Sequence, residues 1–199
     1  MGTLISRCFG FVRDIVCAHV FGASSGFDAF LVAFRIPNMM RQLFAEGAFT
    51  QGFLPIYAVQ KDSHRARVLV SQVCVLLLFV AGLCITLMIF FASMVLMVVA
   101  PGFIHDPGRL DTATSLLRIV LFYLPMLSFV ALMAGVLNAH KRFLIPAFMP
   151  VVLNIVLIGG ALSAQHYHLS VNSQAWSVLL GGGVQVIIGL FCIKEYVSW

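Results

Sequence analysis

Between Val68 and Ile104 the chain carries no charged side chain. A helix needs about 20 predominantly apolar residues to cross the hydrocarbon core of a bilayer, and this run exceeds that. In lipid every backbone N–H and C=O must be satisfied within the chain, so a run of this kind reads as membrane-spanning helix rather than soluble core. Composition agrees: 61% of the residues are hydrophobic and 10% charged, with a mean hydropathy of +1.04. Those values exclude an ordinary soluble domain. The expected class is all-α integral membrane, a bundle of six transmembrane helices.

The six expected spans are about 3–21, 27–57, 71–98, 112–137, 145–164 and 175–193. Gly and Pro mark the links, as in GASSG after the first helix and APGFIHDPGRLD after the third. The second span is too long for one straight crossing and holds Pro37, so a kink or break is expected near Arg35 to Asn38. The third also exceeds the membrane, which implies tilt or an extension beyond it. One set of links collects Lys61, Arg65, Arg67, Lys141, Arg142 and Lys194, and the other only Arg109. By the positive-inside rule both ends of the segment face the cytoplasm. A cleavable signal peptide is not expected, because Arg13 and Asp14 interrupt the first apolar run.

Ser6 to Pro55 breaks the pattern. Arg7, Arg13, Asp14, Asp28, Arg35, Arg41 and Glu46 lie among Phe, Leu, Ile, Val, Ala and Gly. An arginine at the bilayer centre costs roughly 2.5–3.5 kcal/mol on insertion scales, so the four together cost something like 10 kcal/mol. Only a polar, shielded interior offsets that, and the first inference is a water-filled cationic cavity. At about 100° per residue Arg7, Gly10 and Asp14 share one side of the first helix and Arg13 points elsewhere. Arg13 and Asp14 are therefore expected to find partners on other helices rather than each other. Asp28, Arg35, Asn38, Gln42 and Glu46 form a stripe on the second.

One reading pairs these charges as interhelical ion pairs that fix the bundle. The count favours another, since four arginines meet three carboxylates in the first two helices. Surplus cation in an apolar wall suits an anionic guest, and the planar guanidinium fits a diphosphate or several carboxylates bidentately. The net charge of +5 and pI near 9.2 do not imply nucleic acid, because the basic residues are scattered through apolar helices or sit at their ends. Cysteines 8, 17, 74, 84 and 192 show no CxxC spacing and read as packing residues. His166 and His168 read as part of a solvated loop rather than a metal site, and His19 as a structural residue at the end of its helix. Arg118 stands alone in the fourth span. No phosphate loop, nucleophile–base pair or metal motif appears, so neither a cofactor nor catalysis is expected.

Three words in the first 57 residues, SR-x-x-GFVRD, VFGAS-x-x-x-DAFLVAFRIPN and RQLFAEGAFTQGFLPIY, and LNAHKRFLIPAFMPVVLNI at 137–155, closely resemble the MurJ (MviN) lipid II flippases. These belong to the multidrug/oligosaccharidyl-lipid/polysaccharide exporter superfamily. The resemblance implies one lobe of a fourteen-helix transporter in the bacterial cytoplasmic membrane. It implies movement of lipid II, the undecaprenyl-diphosphate-linked peptidoglycan precursor, to the outer leaflet by alternating access. Carried over by motif, Arg7, Arg13 and Arg41 would line a cationic cavity and bind substrate, with Asp14, Asp28 and Glu46 supporting or gating. Gln42 stands where relatives often carry a second basic residue, which lowers the local positive potential.

Length departs from that pattern. Six helices correspond to the first lobe alone, with a start that looks clipped. The chain is thus expected to be a fragment, a truncated product, or a half that needs a second lobe as partner. Rival expectations are an exporter of cationic drugs or polysaccharide lipids from the same superfamily, a membrane enzyme acting on polyprenyl phosphates, and a non-transporting remnant. An arginine-rich wall repels cations, and no metal-binding carboxylate cluster supports the enzyme.

Overall fold

In a computed structural model of the chain, described over residues 2–41, 48–60 and 64–194, all regular structure is helical. Nine α-helices follow in order among the described residues: α1 Gly2–Phe21, α2 Ser25–Arg41, α3 Ala48–Gln60, α4 His64–Phe90, α5 Ala92–Val99, α6 Pro107–Val120, α7 Tyr123–Ala139, α8 Leu144–His166 and α9 Asn172–Ile193. A 3₁₀ turn, Pro101–His105, joins α5 to α6. Among the described residues three helices are long and apolar enough to cross a membrane, Arg65–Phe90, Leu144–His166 and Asn172–Ile193, and the bent pair α6–α7 passes the same test when taken as one span. α1 carries Arg7, Arg13 and Asp14, and α2 has 17 residues, so neither stands out as a span by length and composition.

Local chemistry explains the helix ends. Gly22, at φ +60°, takes the left-handed position that stops α1, and its N–H bonds the Ala18 carbonyl at 2.9 Å. The Ser24 hydroxyl then accepts from the Phe27 N–H at 3.3 Å to open α2, with Asp28 in the first turn complementing the helix dipole. Asp106 caps α6 by accepting from the Arg109 N–H at 3.2 Å, with Pro107 at the first position. α7 and α8 close with non-glycine residues in the left-handed region, Lys141 (φ 59°) and His168 (φ 52°). Each is followed by a bond back over the last turn, Arg142 N–H to the Leu137 carbonyl and Leu169 N–H to the Ala164 carbonyl, both 2.9 Å. That pattern satisfies carbonyls otherwise left open, and gives the second histidine of the HxH loop a structural post.

Helix boundaries differ from those expected. Within 27–57 the described residues form Ser25–Arg41 and Ala48–Gln60, and the chain stays helical from Arg35 to Asn38, with Pro37 inside α2. Pro37 removes one donor, to the Ala33 carbonyl, while the helix around it is held by burial of Phe30, Ala33, Phe34 and Ile36. The span expected over 71–98 divides at Phe91 into α4 and α5. The span expected over 112–137 starts earlier and bends by 41° between Val120 and Tyr123. Pro125 accounts for that bend: its ring displaces the carbonyl four residues back, on Leu121, and the chain tightens there, the Leu124 N–H bonding Leu121 at 3.0 Å.

α1 packs mainly on α8, α8 on α9, α9 on α7, and α2 on α6, while α7 also meets α3 and α4. One apolar core joins α1, α2, the end of α4, α5, α6, the start of α7, α8 and α9, and a second joins α3 and the first part of α4 to the far ends of α7 and α9 and the start of α8. Close approach around α9 depends on missing side chains. A Cβ on Gly181 would lie 2.6 Å from the Leu153 side chain, and one on Gly182 2.6 Å from the Tyr123 ring. Small residues let helix backbones approach in a medium where burial alone gives little attraction between them.

Candidate functional site

Arg13 is the focus. It precedes Gly22 by about two and a half turns, or about 13 Å of rise, close to half of a hydrocarbon core about 30 Å thick. Its Nε and Nη2 donate to the same Asp14 Oδ1 at 3.0 and 2.6 Å, and its Nη1 donates to Asn154 Oδ1 on α8 at 3.1 Å. The guanidinium carbon lies 5.9 Å from the centroid of Phe34 on α2, within cation–π range. The Arg13 side chain is 23% exposed and that of Asp14 59%. Three helices thus meet at one half-buried cation whose carboxylate partner stands at the open surface.

The expectation that Arg13 and Asp14 would pair across helices rather than together is corrected for this pair. Side chains 100° apart on an ideal helix diverge at Cβ, but the arginine stem is long enough to fold its fork back onto the neighbouring carboxylate. Arg13 does also cross to another helix, but to an amide. Asn154 was not singled out in the sequence, although an asparagine midway along the apolar run PVVLNIVLIGG is a detectable signal.

The remaining candidates divide. Arg7 is exposed on α1 and Arg35 on α2, and neither has a charged or hydrogen-bonding partner among the described residues. Arg118 is exposed on α6 in the same way. Asp28 sits at the opposite end of α2 from Arg41, 4.0 Å from Arg109 Nη1, and Arg109 Nε lies 3.3 Å from Asp106. That cluster ties α2 to α6 at a helix end, away from Arg13. Arg41 is described only as a backbone position of α2; its side chain, Gln42 and Glu46 lie outside the described residues. The expected water-filled cavity is not enclosed by the described residues: Arg7 and Arg35 are exposed and Arg13 is partly so. The cavity formed beside α9, about 390 Å³, is apolar and lined by Ile187, Leu190, Phe191 and Lys194. It is remote from Arg13 and has no part in that chemistry.

A run of phenylalanines lies along α2 and is joined by Phe21 at the end of α1. Phe21, Phe27, Phe30 and Phe34 stack in sequence, with centroids 5.6, 6.3 and 5.6 Å apart. This ladder gives the Arg13 side chain a rigid apolar flank, so its freedom is toward the open side.

Residues 17–197 match the family described as lipid II flippase MurJ. The chain belongs to the MurJ family. It is 40% identical over 197 residues to the lipid II flippase MurJ of Burkholderia cenocepacia, covering 97% of this chain and 38% of that one. It is 38% identical over 188 residues to a probable lipid II flippase MurJ of Buchnera aphidicola subsp. Schizaphis graminum, covering 92% and 37%. A solved structure of lipid II flippase MurJ in an inward closed conformation superposes with a TM-score of 0.83 at 25% identity, over 99% of this chain and 41% of that chain. The fold is therefore that of an all-α membrane transporter lobe, and the chain spans somewhat over a third of the length of these MurJ relatives.

Proposed function

We propose that this segment is the N-terminal wall of a lipid II flippase, carrying the lipid-linked peptidoglycan precursor from the cytoplasmic to the outer leaflet. The observation that supports it best is a partly buried arginine midway along an otherwise apolar helix, beside an exposed carboxylate, in a chain of the MurJ family. Arg7, Arg13 and Arg41 contact the diphosphate, Asp14 and Glu46 support or gate them, and Asp28, beside Arg109 at the other end of α2, has a gating role there. A second helical body, in the same polypeptide or a partner, supplies the facing wall. The protein acts as a transporter rather than an enzyme, in the bacterial cytoplasmic membrane, with both ends of the segment on the cytoplasmic side.

Physics gives the mechanism its outline. A multiply charged headgroup cannot be drawn through hydrocarbon, because an ion moved into low dielectric without a partner costs many kcal/mol. Guanidinium groups kept at mid-depth on a hydrated face lower that barrier, while the polyprenyl tail stays in lipid. Rocking of two helical bodies about the face opens it first to one side and then to the other.

The test is replacement of the native flippase in a depleted bacterium by the whole transporter carrying Arg13→Ala or Arg41→Ala. Both are expected to insert normally and fail to support growth; normal growth of both would contradict the cation role. Tighter binding of a lipophilic cation than of lipid II would instead select a cation exporter.

A further inference from the structure

We propose that Asn154 is a positioning residue for substrate binding: it fixes the Arg13 guanidinium with a neutral acceptor, orienting the cation without cancelling it. This deepens the flippase reading and rests on Arg13 meeting the diphosphate.

The geometry carries it. Asn154 is 7% exposed, on α8, the helix against which α1 packs most closely. An amide facing a guanidinium presents its oxygen, and here Oδ1 accepts from Nη1 at 3.1 Å. Three residues earlier on α1, Gly10 also brings the backbone near Asn154, so that a Cβ there would lie 3.8 Å from Asn154 Nδ2. Asp14 occupies Nε and one hydrogen of Nη2 through a single oxygen. Of the five guanidinium N–H groups, two therefore remain, one on each terminal nitrogen, for an incoming anion. Asn154 and Asp14 divide the work: the buried amide sets direction and the exposed carboxylate supplies the one resident counter-charge, which a diphosphate can displace into water.

A carboxylate at 154 would keep the shape and the acceptor but put Arg13 between two anions. Asn154→Asp therefore separates orientation from charge, where a purely structural hydrogen bond would be kept or strengthened. The experiment titrates lipid II into the purified whole transporter and measures thermal stability in parallel. Asn154→Asp is expected to weaken lipid II binding by at least about tenfold. Asn154→Leu, which leaves Nη1 without its acceptor, is expected to weaken it similarly. The exchange Asp14→Asn with Asn154→Asp keeps one carboxylate and one amide around Arg13 but buries the carboxylate, where a diphosphate cannot displace it into water, and is expected to bind no better than Asn154→Asp alone. Wild-type affinity in Asn154→Asp, or an exchange variant that binds like wild type, would overturn the role of Asn154 while leaving the flippase reading standing, provided Arg13→Ala loses binding. Wild-type affinity in Arg13→Ala would overturn both.

Discussion

Gln185 on α9 is 3% exposed, yet both ends of its amide are used. Its Oε1 accepts from the Tyr123 hydroxyl at 3.1 Å and its Nε2 donates to the Met149 carbonyl at 2.6 Å. One side chain so joins α7, α8 and α9. Interhelical hydrogen bonds of this kind contribute about 0.6 kcal/mol on average in membrane proteins, and up to about 1.7. Tyr123→Phe is expected to cost about that much and Gln185→Leu more, since it orphans two groups. A double-mutant cycle on unfolding in detergent should return a coupling near 1 kcal/mol; additive effects would mean that the pair does not interact. Residue partnerships were the part of this chain least legible beforehand. The four arginines of α1 and α2 stood out because charge in an apolar run is rare, but helix phase alone misassigned Arg13 and Asp14. Phase fixes where Cβ points, not where a flexible stem ends, and nothing local to Arg13 could announce an asparagine 141 positions away.

The triplet Gly181–Gly183 in α9 shows what an element adds to its residues. Gly182 faces the Tyr123 ring and the Met126 sulfur, at 2.6 and 2.8 Å from an ideal Cβ, whereas nothing lies within 4 Å of one on Gly183. Alanine gains about 1 kcal/mol of helix propensity over glycine at either position. At 182 that gain is outweighed by overpacking, about 1–3 kcal/mol, because an aromatic ring cannot yield as a flexible chain end does. Gly183→Ala is therefore expected to raise the unfolding temperature and Gly182→Ala to lower it; a shift of the same sign in both would show that α9 does not approach α7 so closely. Sequence alone cannot separate the two neighbours, since the difference is which side meets α7. The same holds for helix breaks. Long apolar runs announced helices reliably, but Pro37 and Pro125 look alike as letters. One is carried inside α2 by packing against α6, and the other bends α6 from α7.

At the scale of the whole molecule the exposed surface is of two chemical kinds. The most apolar 18-residue window of the span Arg65–Phe90 has a mean hydropathy of 3.0 and only 17% of it is buried, and Leu76, Phe79 and Leu83 stand open. Such a face belongs against lipid tails. α1 and α2 are also exposed, but present Arg7, Asp14 and Arg35, which cannot be left in hydrocarbon without a cost of several kcal/mol per group. These groups therefore need water or a polar partner beside them, while Leu4, Phe11 and Ile15 on α1 are exposed too, so the lobe is expected to face lipid along α4 and water at the charged side of α1 and α2. That asymmetry can be measured in the whole transporter after its native cysteines, including the exposed Cys8 beside Arg7, are replaced by serine or alanine. Single cysteines at 7, 35, 76 and 79 are then probed with a charged, membrane-impermeant thiol reagent applied to inverted vesicles and to intact cells. A thiol reacts as the thiolate, which forms in water and not in hydrocarbon. Arg7→Cys and Arg35→Cys are expected to react from at least one side, and Leu76→Cys and Phe79→Cys from neither, although all four positions are exposed in the isolated chain. Equal labelling of the two sets would remove the hydrated face, and with it the reason for arginines at mid-depth.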